Sequence, residues 1–156
     1  MNNDDVIIRP AHPGDTEAVK ELVFGILEEY GLQADSGSTD KDLDNLDYYY
    51  TNNNGYFAVI EEKNKIIATV GILKIDHRIC ELRKMYIQPA NRGKGLGKKL
   101  LEHAMSKARE LGYLEMVLET ASPLKEAIAL YGKYGFIEYV PEHLSERCDQ
   151  AFRIEL

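Results

Sequence analysis

Apolar residues recur along the chain with two periods, near two and near 3.6, and the switches between them mark out the elements. VIIRP (6–10) is a short apolar run ended by proline and reads as a first strand. Val19, Leu22, Val23, Ile26, Leu27 and Tyr30 fall on one helical face, with Asp15 or Thr16 placed to cap its start and Gly31 to stop it. A polar and then acidic segment follows, in which Leu43, Leu46 and Tyr50 give a weaker helical pattern that TNNNG breaks. YFAVIEE (56–62), IIATVGILKI (66–75) and ICELRKMYIQP (79–89) read as strands joined by the tight turns KNK and DHR.

In the second half, Leu96, Leu100, Leu101, Ala104, Ala108 and Leu111 form the apolar face of a long helix that Gly112 closes. YLEMVLET (113–120) is the next strand. Ser122 and Pro123 stand as N-cap and first-turn proline of a helix holding Leu124, Ala127, Ile128, Tyr131 and Tyr134, ended by Gly135. FIEYV and CDQAFRIEL (148–156) read as the last two strands. The order is βααβββαβαββ, without an internal repeat or a linker. A hairpin meander followed by a strand–helix–strand crossover demands a parallel pair beside antiparallel strands. The expected fold class is therefore α/β, with a mixed, mostly antiparallel sheet and helices on both faces, in a single domain over 1–156. The final strand is expected at a sheet edge, open to dimerisation, which leaves monomer and homodimer both in play.

Composition narrows the function classes. A net charge of -7 argues against a nucleic-acid partner, because no broad basic field exists to neutralise a phosphate backbone. No apolar run approaches the roughly 20 residues that cross a bilayer. The acidic MNNDDVIIRP does not read as a signal peptide, so a cytoplasmic protein without a membrane partner is expected. Cys80 and Cys148 lie far apart, and neither they nor His12, His77, His103 and His143 show metal-ligand spacing. No metal is expected, and the thiols read as buried or idle.

Local charge differs sharply from the average. Residues 91–99 carry Arg92, Lys94, Lys98 and Lys99 and no acid, interleaved with Gly93, Gly95 and Gly97, between a strand and a helix. Such a turn lets main chain approach a phosphate closely and aims N–H groups and the positive end of a helix at it. A dinucleotide GxGxxG fails at Lys98, and a nucleotide-triphosphate loop fails at Arg92 and Lys99.

Arg92-Gly93-Lys94-Gly95-Leu96-Gly97, after a strand ending YIQP, resembles the Q/R-x-x-G-x-G/A motif of the GCN5-related N-acetyltransferase (GNAT) family. LYGKYGF (130–136) resembles the family's second signature, LYxKxGF, and the element order is similar along nearly the whole chain. The resemblance implies acetyl-CoA as co-substrate. Main-chain groups of Arg92, Gly93, Lys94, Gly95, Leu96, Gly97 and Lys98 would hold its diphosphate. A bulged strand around Met85, Tyr86 and Ile87 would hold the pantetheine arm. Many relatives carry asparagine where this chain has Leu124; hydroxyls from Thr120 to Ser122 are the substitutes, and Lys125 and Lys133 are candidates for the 3′-phosphate. Tyr131 is implied to protonate the departing thiolate.

Acetyl transfer to an amine also needs a base, and Glu81, on the strand leading to the turn, is the candidate, acting directly or through water. A main-chain N–H near Met85 or Tyr86 would serve the oxyanion. Tyr134 is expected to pack. The acceptor would be a small-molecule or protein amine. The seven acids between residues 28 and 47, against Lys41, suggest a negative lip that gathers cationic amines. A non-catalytic acyl-CoA-binding regulator is the alternative; it would keep the glycine turn without needing Tyr131.

Overall fold

Strands β1 (Val6–Pro10), β2 (Tyr56–Glu62), β3 (Lys65–Lys74), β4 (Ile79–Ile87), β5 (Glu115–Thr120), β6 (Ile137–Tyr139) and β7 (Gln150–Glu155) hydrogen-bond in the order β1-β2-β3-β4-β5-β7-β6. The structure, a computed structural model, describes residues 6–156; the reading of MNNDD within the N-terminal stretch lies outside them. Every neighbouring pair is antiparallel except β4–β5, the parallel pair that the crossover requires.

The β2–β3 turn places Lys63 at φ 50° and Asn64 at φ 64°, the left-handed pair of a two-residue hairpin whose twist suits its strands. Helices cover both faces, as expected. Ala58, Ile60, Ala68, Val70 and Ile72 point to one side and pack with Leu100, Leu101 and Ala104 of α3 (Leu96–Glu110). Phe57 and Val59, alternating with them, point to the other and pack with Val19, Val23 and Leu27 of α1 (Thr16–Glu29). Burying both faces leaves β2 and β3 nearly continuously apolar.

Four local expectations are corrected. The acidic segment does not form a full helix: it breaks into single turns, of which α2 (Leu46–Tyr49) is the only α-helical one. Asp15 precedes α1 but makes no side-chain cap; its carboxylate accepts from Arg9 at 2.8 and 3.0 Å and from the His12 N–H at 2.9 Å. The second signature helix, α4 (Lys125–Lys133), begins after Leu124, so Ser122 is not its N-cap and Pro123 precedes it. Lastly, β7 lies inside the sheet between β5 and β6; the outer strands are β1 and β6, so the final strand offers no edge for dimerisation.

Candidate active site

The glycine turn joins β4 to α3. Gly93 (φ 77°) and Gly95 (φ 79°) occupy the left-handed region, where a side chain costs about 1–2 kcal/mol. A Cβ at either would meet no heavy atom within 4 Å, so the turn faces open space. Gly95 is the N-cap of α3, and with no side chain to satisfy them the helix's first N–H groups point outward. Gly97 differs: a Cβ there would sit 3.4 Å from Leu130 and 3.6 Å from Ile87, so its smallness lets α3 approach α4 and β4. A groove of about 440 Å³ runs beside the turn. It is lined by every predicted cofactor-binding residue except Lys94 and Thr120, and by Lys133.

The local cations are not all available to a phosphate. Arg92 turns back toward α1, donating to Glu29 at 2.6 and 2.9 Å and to the Ile87 carbonyl at 3.1 Å, and lies 5.3 Å from the Tyr30 ring centre. Lys98 stays exposed at the start of α3.

Upstream, β4 bulges. Thr69 pairs with Tyr86 and Gly71 with Arg83, so Lys84 and Met85 share one position opposite Val70. Lys84 takes φ 55°, and Thr69 Oγ1 donates to its carbonyl at 2.7 Å. The parallel ladder to β5 extends only over Ile79–Glu81 and Glu115–Val117. Past it β4 and β5 separate, leaving β4 main chain without a β5 partner and opening a cavity of about 280 Å³. This cavity shares Met85, Tyr86, Leu124 and Ala127 with the groove, so the two adjoin at the bulge.

Glu81, Tyr131 and Thr120 all line the cavity. Cys80 and Leu82 pack against α3, so Glu81 between them faces the other side, as do Val117, its register partner, and Glu119. Burial lifts Glu81 above the ordinary carboxylate range; Arg83, 3.3 Å away, opposes the rise, and Glu119 adds to it. Tyr131 is buried against Phe136 and Phe152, and that burial raises its phenol well above 10. Tyr134, by contrast, donates to Glu102 at 2.5 Å away from the cavity, in keeping with a packing role. Leu124 is the residue before α4 and lines both spaces.

Several site residues escaped the sequence reading. Glu119, Arg83, Lys84, Arg147 and Cys148 also line the cavity. None belongs to a motif, and only the splay and the β6–β7 loop bring them together. Cys148 is a half-buried thiol on the cavity wall, raised by burial. The acidic lip is likewise corrected. Asp40 and Asp42 are buried in ion pairs with Lys84, Asp44 pairs with Lys20 at 2.5 Å, and Glu29 is taken by Arg92. Most of the charge that was to gather cations is neutralised within the protein. Among the described residues, no group of three or more His, Cys, Asp or Glu is arranged to hold a metal ion. Among them too, no helix is long and apolar enough to cross a membrane.

Residues 23–136 match the acetyltransferase (GNAT) family. An uncharacterized N-acetyltransferase of Escherichia coli (strain K12), YjgM, is 43% identical over 144 residues, covering 87% of this chain and 86% of its own. An uncharacterized N-acetyltransferase of Schizosaccharomyces pombe, C1271.07c, is 30% identical over 126 residues, 80% of this chain and 77% of its own. Among solved structures, a GNAT-family acetyltransferase of Staphylococcus aureus Mu50 superposes with a TM-score of 0.89 at 22% identity, covering 96% of this chain and 98% of that one. YncA of Salmonella typhimurium, a putative acetyltransferase solved with acetyl-CoA, gives 0.77 at 22% identity, covering 97% and 94%.

Proposed function

Because the chain belongs to the acetyltransferase (GNAT) family, we propose that it is an N-acetyltransferase taking acetyl-CoA as donor and a small-molecule or protein amine as acceptor. One observation carries the reading: the glycine-turn groove adjoins, at the β4 bulge, a cavity that holds both Glu81 and Tyr131. The residues present fit the co-substrate. Two left-handed glycines with nothing above them and an uncapped helix start make a main-chain anion cradle. The splay beyond it is a slot bordered by unpaired main chain.

Acetyl-CoA supplies the acetyl group as a thioester. The N–H groups of residues 92–98 hold its diphosphate, and main chain of Met85, Tyr86 and Ile87 orients the arm. Holding amine and thioester together supplies up to about 7–11 kcal/mol of the barrier. An alkylamine with a pKa near 10.4 is neutral only about once in 2,500 molecules at pH 7. Glu81 accepts the proton of the ammonium, directly or through water; the raised pKa that burial gives it makes it a better base than an exposed glutamate. A main-chain N–H on the unpaired side of β4 faces the developing oxyanion. Tyr131 gives its hydroxyl proton to the leaving thiolate and is reprotonated by the second proton, which the attacking nitrogen sheds as the amide forms.

The non-catalytic regulator finds no support in relatives named N-acetyltransferase. The test is release of free CoA with a panel of simple amines, polyamines, amino acids and aminoglycosides. At least one should be turned over above the hydrolysis rate, with the rate lost in Glu81→Gln. Tight CoA binding without turnover of any amine would overturn the enzyme in favour of the regulator.

A further inference from the structure

Among the described residues, four that are not glycine have positive φ. Asn54, Lys63 and Asn64 lie exposed in turns, where this conformation is common. Lys84 lies within a strand, and its side chain is only 2% exposed. A bulge that needs the left-handed region favours glycine, and a buried site favours an apolar side chain. Lysine meets neither preference, so its ammonium accounts for its presence.

That ammonium closes a ring of buried charges. Nζ lies 3.1 Å from Asp40 Oδ1, 3.2 Å from Asp42 Oδ1, and donates to the Thr39 carbonyl at 3.2 Å. Arg147, from the β6–β7 loop, grips Asp40 with two bonds of 2.6 and 2.7 Å and reaches the Gln33 carbonyl at 3.3 Å. Asp40 also accepts from the Asp35 N–H at 2.7 Å, and Asp42 from the hydroxyl of the fully buried Tyr50. Arg83, next along β4, donates to the Thr39 carbonyl at 2.5 Å.

Between Gln33 and Asp40 the chain has no helix or strand of its own, and these side chains fix its path. The fixed elements are also the cavity's outer walls: Leu32 and Thr39 from one segment, Ser145, Arg147 and Cys148 from the other.

We propose that Lys84 is a positioning residue: through Asp40 it clamps the 33–42 segment and the β6–β7 loop onto the β4 bulge, and so closes the acceptor side of the cavity. The clamp stands on geometry alone; that the space it closes receives the acceptor rests on the acetyltransferase reading. Its components are buried and mutually paired, so removing one leaves the others as uncompensated charges and favours an open loop. The glycine turn takes no part in the ring, so the clamp governs access to the cavity and leaves the CoA cradle untouched.

Cys148 reports the opening, because it lines the cavity while Cys80 is buried in the core. Alkylation of the ligand-free protein by iodoacetamide, located by peptide mass spectrometry, should be about tenfold faster in Asp40→Asn, which removes the central charge at constant shape. Arg147→Gln should do the same, while Arg147→Lys, which keeps a cation beside Asp40, should remain within about twofold of the parent. Calorimetric affinity for CoA should stay within about twofold in all three. Lys84→Met should open the cavity at least as far; if it does not fold, the other variants decide. Unchanged alkylation in Asp40→Asn, equal rates in the two Arg147 variants, or CoA affinity falling in step would overturn the clamp. None of these readouts needs turnover, so failure of the clamp and failure of acetyl transfer remain separate results.

Discussion

The Arg92 guanidinium holds the Glu29 carboxylate at 2.6 and 2.9 Å, tying the end of α1 to the glycine turn. The hydrogen bonds that Arg92 donates to Glu29 are the largest influence on it and, against the lowering effect of burial, hold its pKa above the usual guanidinium value. The motif's arginine is thereby engaged with α1 and with the Ile87 carbonyl.

It follows that Arg92→Ala and Glu29→Gln should weaken CoA binding by similar amounts, a few-fold each, as befits a partly exposed pair. The double variant should be no weaker than either single, since both remove one interaction. Titration calorimetry measures all three. A much larger loss for Arg92→Ala alone would mean that the guanidinium touches the ligand.

Gly95→Val should be the more damaging change to the cradle. Its φ of 79° costs a β-branched residue about 1–3 kcal/mol, and the side chain would enter the space that the turn leaves open. CoA affinity should fall at least about tenfold, the equivalent of about 1.4 kcal/mol. Undiminished affinity by calorimetry would remove the diphosphate from this turn.

Tyr131→Phe removes a hydroxyl while keeping the ring that packs on Phe136 and Phe152. Turnover should drop about 10²-fold with CoA affinity and melting temperature nearly unchanged. Because burial raises the phenol, it stays protonated across pH 6–9 and the loss should be the same throughout. Equal turnover in the two proteins would exclude Tyr131 from proton transfer.

A base must be ionised, so kcat/KM should rise with pH along a limb centred above the ordinary glutamate value of about 4.3. Burial is the main cause of the rise, Arg83 opposes it and Glu119 reinforces it. Glu119→Gln should move the limb to lower pH and Arg83→Gln to higher pH. Shifts of the same sign, or none, would show that another group carries the limb.

Burial by itself would raise Asp40, but hydrogen bonds from Arg147 and the Asp35 N–H, with the charge of Lys84, outweigh it and hold the pKa at about 2. A folded-state pKa below the unfolded one stabilises the protein above about pH 4, and that contribution disappears as pH falls from about 4 to 2. The gap corresponds to about 2–3 kcal/mol. Urea unfolding should show this loss in the parent, and a flatter acid profile in Asp40→Asn.

The order of elements, the parallel pair and the glycine turn were legible in the chain, because each is written in local periodicity or in a contiguous motif. VIIRP, the hairpin around Lys63-Asn64 and the α3 stripe need only their own neighbours to be recognised. The placing of β7 between β5 and β6, the inward turn of Arg92 and the burial of Asp40 and Asp42 were not legible. Those features depend on partners distant in sequence: Arg147 meets Asp40 across 107 positions, and Lys84 meets it across 44. Charge in a sequence reads as solvated surface, since the desolvation that forces ions to pair exists only once the chain has folded around them.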